Sequence, residues 1–303
     1  MQKLLSLTII FFLFSLFGYS QAQKRKIIDV HFHARYFDDY GKFPPPNPVT
    51  GKIQEFKSND DLLNQTLAIL KKNNIVKVIC AGNLSRNNDY KIADSAMIIS
   101  ALEYPNWQNE PLPDTTTFIR LFKEKKFSVF GELGLQYKGK TLADPEFAPY
   151  IAICERLRIP VTLHTGQSAP NTPYTCCPKF TISSGKPLTV EEVLKKHPKL
   201  KIQMMHMGHP FLEEMKAIMN VYPQVYVDIA PMNWVLPVEE FYSYLKALMI
   251  AGFGKRIMYG TDQMAWPDAI TLAVTNTENA PFLTEEQKQD IFYNNAARFY
   301  GIK

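Results

Sequence analysis

No glycine-rich phosphate loop occurs in this 303-residue sequence: it has neither a GxGxxG nor a Walker-type run, which counts against a nucleotide site. Basic clusters are missing too. The 34 Lys and Arg outnumber the 29 Asp and Glu by only five. They are spread along the chain, so no stripe tracks phosphates, and nucleic acid is not expected as a partner. Cysteine is scarce, with four residues and no CxxC or Cys/His spacing of a structural zinc site. Cys80 ends a strand candidate and Cys154 lies on a helix candidate, so both read as buried thiols. Cys176 and Cys177 are neighbours in a loop, and a bridge between neighbours is strained and rare. Beyond the N-terminus, no stretch is long and apolar enough to cross a bilayer.

The N-terminus differs from the rest. Lys3 gives it a positive start, Leu4 to Gly18 is apolar, and Ser20-Gln21-Ala22 places small residues where signal peptidase needs them. Residues 1–22 therefore read as a cleavable secretory signal, cut after Ala22, because the apolar run is shorter than the ~20 residues that span a bilayer. The expectation is a secreted or periplasmic mature chain, 23–303, with no stable membrane insertion. No cysteine follows the apolar run, so a lipid anchor is not indicated.

The remaining composition, 46% hydrophobic and 21% charged, is that of an ordinary globular protein. Short apolar strands alternate with amphipathic helices from residue 26 onward. Strands are predicted at Lys26–His31, Val76–Ala81, Met97–Glu103, Phe127–Leu133, Pro160–His164, Lys201–His206, Val225–Ile229 and Arg256–Thr261. Helices are predicted from Ser58 onward, then at Asp114–Lys126, Asp144–Leu157, Thr189–His197, Phe211–Val221, Val238–Ala251, Ala265–Thr275 and Thr284–Tyr300. Near-continuous apolar strands are buried on both faces, as in a parallel sheet. Eight such repeats predict an α/β fold, a single-domain (β/α)₈ TIM barrel, which takes ~250 residues as one unit. Two long loops, around Phe43–Val49 and Gly166–Pro187, follow strands one and five on the side where barrel enzymes build their sites.

There are only six histidines, and five fall at strand ends. His31 and His33 form an HxH at the end of strand one, and alternation along a strand puts both on one face. His164 ends strand five, His206 ends strand six and Asp262 ends strand eight. Imidazole and carboxylate converging at one end of a barrel suit Zn²⁺ and neighbouring divalent ions. Glu132, between glycines near the end of strand four, is a buried carboxylate that needs a partner, and it is a further ligand candidate. His209, three residues past His206, reads as a rim residue that contacts substrate or caps a helix. Trp234 and Trp266 follow strands seven and eight and are candidates to line a substrate pocket. Asp29 shares the face of His31 and either orients a ligand ring or closes a buried network. His197 sits at a helix end, where a cation is structural.

At these residues the chain resembles the amidohydrolase superfamily, in its amidohydrolase-2 branch. The resemblance runs from Lys26 to Gly301 and is carried by Ile28-Asp29-Val30-His31-Phe32-His33, His164-Thr165-Gly166, His206-Met207-Gly208-His209-Pro210, Tyr259-Gly260-Thr261-Asp262 and Asn294-Asn295-Ala296-Ala297-Arg298-Phe299-Tyr300-Gly301. It implies that His31, His33, His164 and Asp262 are metal ligands. It also implies that His206 binds a second metal or contacts substrate, and that Asp262 takes the proton of the nucleophilic water. Gly131-Glu132-Leu133-Gly134 looks more like the related metal-dependent deoxyribonuclease branch, whose strand-four Glu bridges two metals. The implied cofactor is zinc, as one or two ions, with manganese as the alternative.

The implied reaction is hydrolysis of an amide, ester or lactone in a small molecule. A divalent ion acidifies water, Asp262 accepts its proton, and the ion with His206 polarises the carbonyl. Three rivals are a non-oxidative decarboxylase of the same branch, a binding protein that has kept the barrel without catalysis, and a nuclease or phosphoesterase suggested by Glu132. The sequence leaves a homo-oligomer open.

Overall fold

The computed structural model describes residues 25–40 and 45–303; the leader assigned to residues 1–22 lies outside the described residues. Eight parallel strands form one sheet in the order β1 to β8: β1 (Ile27–His33), β2 (Ile75–Gly82), β3 (Ile98–Tyr104), β4 (Val129–Leu133), β5 (Val161–Leu163), β6 (Ile202–Met204), β7 (Val225–Asp228) and β8 (Ile257–Met258). The two edges meet. Val30 N donates to Tyr259 O (3.0 Å), Asp262 N to His31 O (2.7 Å) and His33 N to Gln263 O (3.2 Å), which joins the chain after β8 to β1. This is the expected (β/α)₈ barrel, and it places the residues that follow each strand at one mouth.

Seven crossover helices and an eighth that follows β8 surround it among the described residues: α1 (Asn59–Lys72), α2 (Leu84–Ala93), α3 (Thr115–Lys123), α4 (Ala148–Leu157), α5 (Glu191–Lys196), α6 (Leu212–Val221), α7 (Val238–Ile250) and α8 (Asp268–Glu278). Ser58 caps α1 by accepting from Asp61 N, and Asp114 caps α3 by accepting from Thr116 N and Thr117 N. The sequence reading did not place α2, whose Ser, Asn and Asp residues compete with the helical backbone. Asn83 holds it by accepting from Arg86 N (3.0 Å), and Asn87 ties it to β3 through the Ala101 carbonyl (3.1 Å). Helix α8 starts later than expected because Pro267, which lacks an N–H, can only precede it or enter its first turn.

Three expectations are corrected. The predicted Thr284–Tyr300 helix is broken by a π turn at Asp290–Asn294, whose Ile291 carbonyl accepts from Tyr259 N (2.8 Å) and so serves the barrel instead of the helix. Strand six was expected to reach His206, but β6 ends at Met204, and His206 and Met207 turn away with φ of +62° and +52°. Cys176 and Cys177, against the argument from neighbour geometry, form a disulfide in the loop after β5, while Cys80 and Cys154 are free and buried as expected. Among the described residues no helix is long and apolar enough to cross a membrane.

Candidate metal centre

The barrel mouth gathers side chains from strands far apart in sequence. His31, His33, Glu132 and Asp262 each offer a ligand atom, all within 4.8 Å of one another, and so do Glu132, His164 and His206. His33 Nε2 lies 3.0 Å from Glu132 Oε2 and 3.1 Å from Asp262 Oδ1. His31 Nε2 lies 3.2 and 3.4 Å from the same two oxygens. Glu132 Oε1 faces His206 Nε2 at 3.7 Å. Glu132 belongs to both groups, so a single carboxylate stands between two sets of imidazoles.

The local backbone explains how these side chains arrive. Gly131 has φ of +144°, and a Cβ there would come within 2.0 Å of Thr162 Oγ1, so only glycine lets β4 run this close to β5 just before Glu132. Asp262, like His206, is in the left-handed region, at φ +52°. For a residue other than glycine such a backbone costs about 1–3 kcal/mol and concentrates at functional sites. Asp29 accepts from His31 N (3.1 Å), Thr261 N (3.0 Å) and the Thr261 hydroxyl (2.6 Å). Of its two expected roles it takes the second: it closes the backbone junction of β1 with β8 and orients no ring. Burial pushes its carboxyl up to about 7, against those hydrogen bonds.

The groups that do orient the rings were not singled out in the sequence. His31 Nδ1 faces Asp228 Oδ1 at 3.4 Å, and His33 Nδ1 faces Glu103 Oε1 at 3.1 Å. His206 Nδ1 lies 2.7 Å from the Ala230 carbonyl, which can only accept. In each case Nδ1 has an acceptor, which turns Nε2 toward the cluster, where a bound cation would take the place of the Nε2 proton. With its Nδ1 proton committed to Ala230, His206 could donate from Nε2 only with a second proton on the ring, which burial opposes but Glu132 favours strongly enough to raise its pKa. Glu103 is itself held by Arg35 through two contacts, of 2.6 and 3.0 Å. Asp228 and Glu103 stand at the ends of strands, as Asp262 was recognised to do, so the same rule could have found them.

Electrostatics show how strongly the cluster favours positive charge. Burial disfavours a charged His31, yet Asp262, Asp228 and Glu132 raise its pKa well above the ordinary value. Burial and Arg35 oppose the charge on His33, yet hydrogen bonds to Asp262, Glu103 and Glu132 lift it to about 10. Against their burial, the histidines hold both Glu132 and Asp262 below the usual carboxylate range. His164 goes the other way: burial and the neighbouring His206 push it down to about 3, so its ring is neutral. Its Nδ1 is buried without any hydrogen-bond partner. Buried carboxylates that favour positive charge, imidazoles that turn Nε2 toward them and one unpartnered nitrogen on a neutral ring are the donor set of a divalent cation. The residues present therefore fit a metal, which His31, His33, Asp262 and Glu132 could hold, with His164 and His206 grouped with Glu132 as a second candidate set.

The other candidates lie around this centre. His209 Nε2 contacts Glu240 Oε1 of α7 at 3.0 Å, and its ring packs on Tyr244, at 5.1 Å between centroids. Trp234 is buried and donates from Nε1 to the Thr261 carbonyl (2.7 Å), which supports the turn that carries Asp262. Trp266 donates to the Pro45 carbonyl (2.8 Å) and ties that turn to the loop after β1. His197 ends α5 and faces Glu155 at 2.9 Å, far from the mouth in sequence and partners, as expected of a structural residue.

Comparison with known proteins agrees with this architecture. Protein fluG of Emericella nidulans is 21% identical over 158 residues, which is 47% of this chain but only 17% of that protein. Among solved structures, a probable 2-pyrone-4,6-dicarboxylic acid hydrolase from Acinetobacter baumannii is similar with a TM-score of 0.64 at 12% identity, covering 91% of this chain and 100% of its own. A 2,6-dihydroxybenzoate decarboxylase from Rhizobium gives 0.61 at 14% identity, covering 92% and 99%. An amidohydrolase from Burkholderia multivorans with bound zinc gives 0.61 at 13% identity, covering 92% and 100%. At these identities the structures show a shared fold. The model of the amidohydrolase-2 family, described as amidohydrolase, matches residues 28–302, nearly all of the described residues, and the chain therefore belongs to that family; its structural neighbours include both a hydrolase and decarboxylases.

Proposed function

We propose that this chain is an exported, metal-dependent hydrolase that opens a lactone, ester or amide in a small molecule. The observation that carries the reading is the position of Asp262. Its Oδ1 lies 3.1 Å from His33 Nε2 and 3.4 Å from His31 Nε2, on the shared face of the cluster, where a proton acceptor is needed beside the nucleophilic water. A divalent cation, when bound, supplies acidified water and a Lewis acid for the carbonyl oxygen. Asp262 takes the proton as the water oxygen bonds to the carbonyl carbon. It returns that proton to the departing oxygen or nitrogen as the acyl bond breaks. Buried surroundings strengthen each of these charge interactions.

The 2-pyrone in the name of the Acinetobacter neighbour is a cyclic ester, the substrate class proposed here. Export rests on the N-terminal pattern of Lys3, the apolar run and Ala22. The test is metal analysis of the purified chain followed by a screen of lactones, esters, amides and aromatic acids. Hydrolysis that disappears with a chelator and in Asp262→Asn supports the reading. Release of CO₂ from an aromatic acid without any hydrolysis would assign a decarboxylase instead.

A further inference from the structure

Three of the cluster histidines have Nδ1 engaged, and His164 is the exception. Its Nε2 is the engaged nitrogen, 3.0 Å from the Tyr137 hydroxyl, and its Nδ1 is buried without a partner. Tyr137 OH also lies 2.9 Å from Ser168 Oγ, and Ser168 Oγ lies 3.0 Å from Thr172 Oγ1. The row ends at a carbonyl: Thr172 Oγ1 is 2.7 Å from Ala169 O.

A carbonyl oxygen can only accept, and a hydroxyl has one proton to give. The Thr172 proton is thus committed to Ala169. The contact between Ser168 and Thr172 must then use the Ser168 proton, and the contact between Tyr137 and Ser168 must use the Tyr137 proton. No hydroxyl proton remains for the last link, so His164 donates from Nε2–H to the Tyr137 oxygen. In the reverse arrangement, with Tyr137 donating to His164, Ser168 would have to donate to Tyr137 and its contact with Thr172 would have no proton. Only one assignment satisfies all four contacts.

We infer that Tyr137, Ser168 and Thr172 form a one-way hydroxyl relay that fixes His164 as the Nε2–H tautomer and so presents the Nδ1 lone pair to the metal. These are positioning residues, and the consequence for the metal rests on the function proposed above. The relay joins the turn after β4 to the loop after β5, so the tautomer of a barrel residue is set by how that loop is folded. Oriented outer hydrogen bonds of this kind typically change metal affinity by roughly 10–100-fold when removed.

The test uses full-length protein labelled with ¹⁵N in histidine, observed as purified and again after zinc addition. Wild-type His164 is expected to show its proton on Nε2 and an unprotonated Nδ1. Ser168→Ala removes the acceptor of the Tyr137 proton, which then turns to His164 Nε2 and moves the ring proton to Nδ1. Zinc affinity, read by chelator competition, falls roughly 10–100-fold. Ser168→Thr keeps the hydroxyl and restores both signals. Tyr137→Phe leaves Nε2 without a partner and gives a mixture of tautomers. A wild-type Nδ1–H signal, or a tautomer unchanged in Ser168→Ala, overturns the relay. Failure of the wild-type chain to take up zinc would instead sink the proposed function, while the tautomer is still decided by its own signal.

Discussion

Replacing Glu103 by leucine removes one half of a buried ion pair. The side chains of Glu103 and Arg35 are each only 6% exposed and are joined at 2.6 and 3.0 Å. Deleting one partner leaves the other charge buried and uncompensated, which costs about 3–5 kcal/mol. Proton linkage gives a second route to the magnitude. Burial pushes the Glu103 carboxyl up, but Arg35 and His33 more than offset it and hold it down at about 2, against 4.5 for the free side chain. At ~1.36 kcal/mol per pH unit that is about 3 kcal/mol. A carboxyl held low in the folded state stabilises above pH 4.5, and this contribution is lost as pH falls from 4.5 toward about 2. The double variant Arg35→Met, Glu103→Leu removes both charges and should recover all but about 1 kcal/mol. It should not recover zinc affinity, because His33 Nδ1–H still lacks its carboxylate, and a roughly 10–100-fold deficit is expected. Urea unfolding with chelator present measures the first effect and chelator competition the second. A single variant that costs under ~1 kcal/mol, or a double variant that binds zinc like wild type, refutes the reasoning.

Other outcomes are equally specific. His31→Ala and Asp262→Asn should each abolish turnover of whichever substrate the screen finds, whereas His197→Ala, which loses only its contact with Glu155, should keep kcat/KM. Trp234→Phe strands the Thr261 carbonyl in a buried site, so thermal or urea unfolding should show a loss of about 1–3 kcal/mol. Expression in a host that exports the chain should yield a mature protein beginning at Gln23, read by mass spectrometry.

The barrel was legible because hydrophobic runs, helix caps and eight repeats all point to it. So were the residues at strand ends, since a histidine or carboxylate there faces the mouth in this fold. What stayed hidden depends on tertiary contact. Helix α2 has poor intrinsic formers and is held by Asn83 and Asn87. The π turn exists because Tyr259 needs the Ile291 carbonyl. Asp228 ends β7, which is legible, but its task is not, because its partners, His31 and Gln203, lie on other strands. Tyr137 lies in a single 3₁₀ turn after β4 and Ser168 in a loop, and neither is long enough for periodicity to give a direction.

A zinc-edge anomalous map from crystals of the zinc-loaded chain would test the central claim most directly. It should show an ion bonded, at about 2.0–2.2 Å, to Nε2 of His31 and His33 and to a carboxylate oxygen of Asp262. Zinc bound elsewhere, or no ordered ion between those three side chains, would contradict the account.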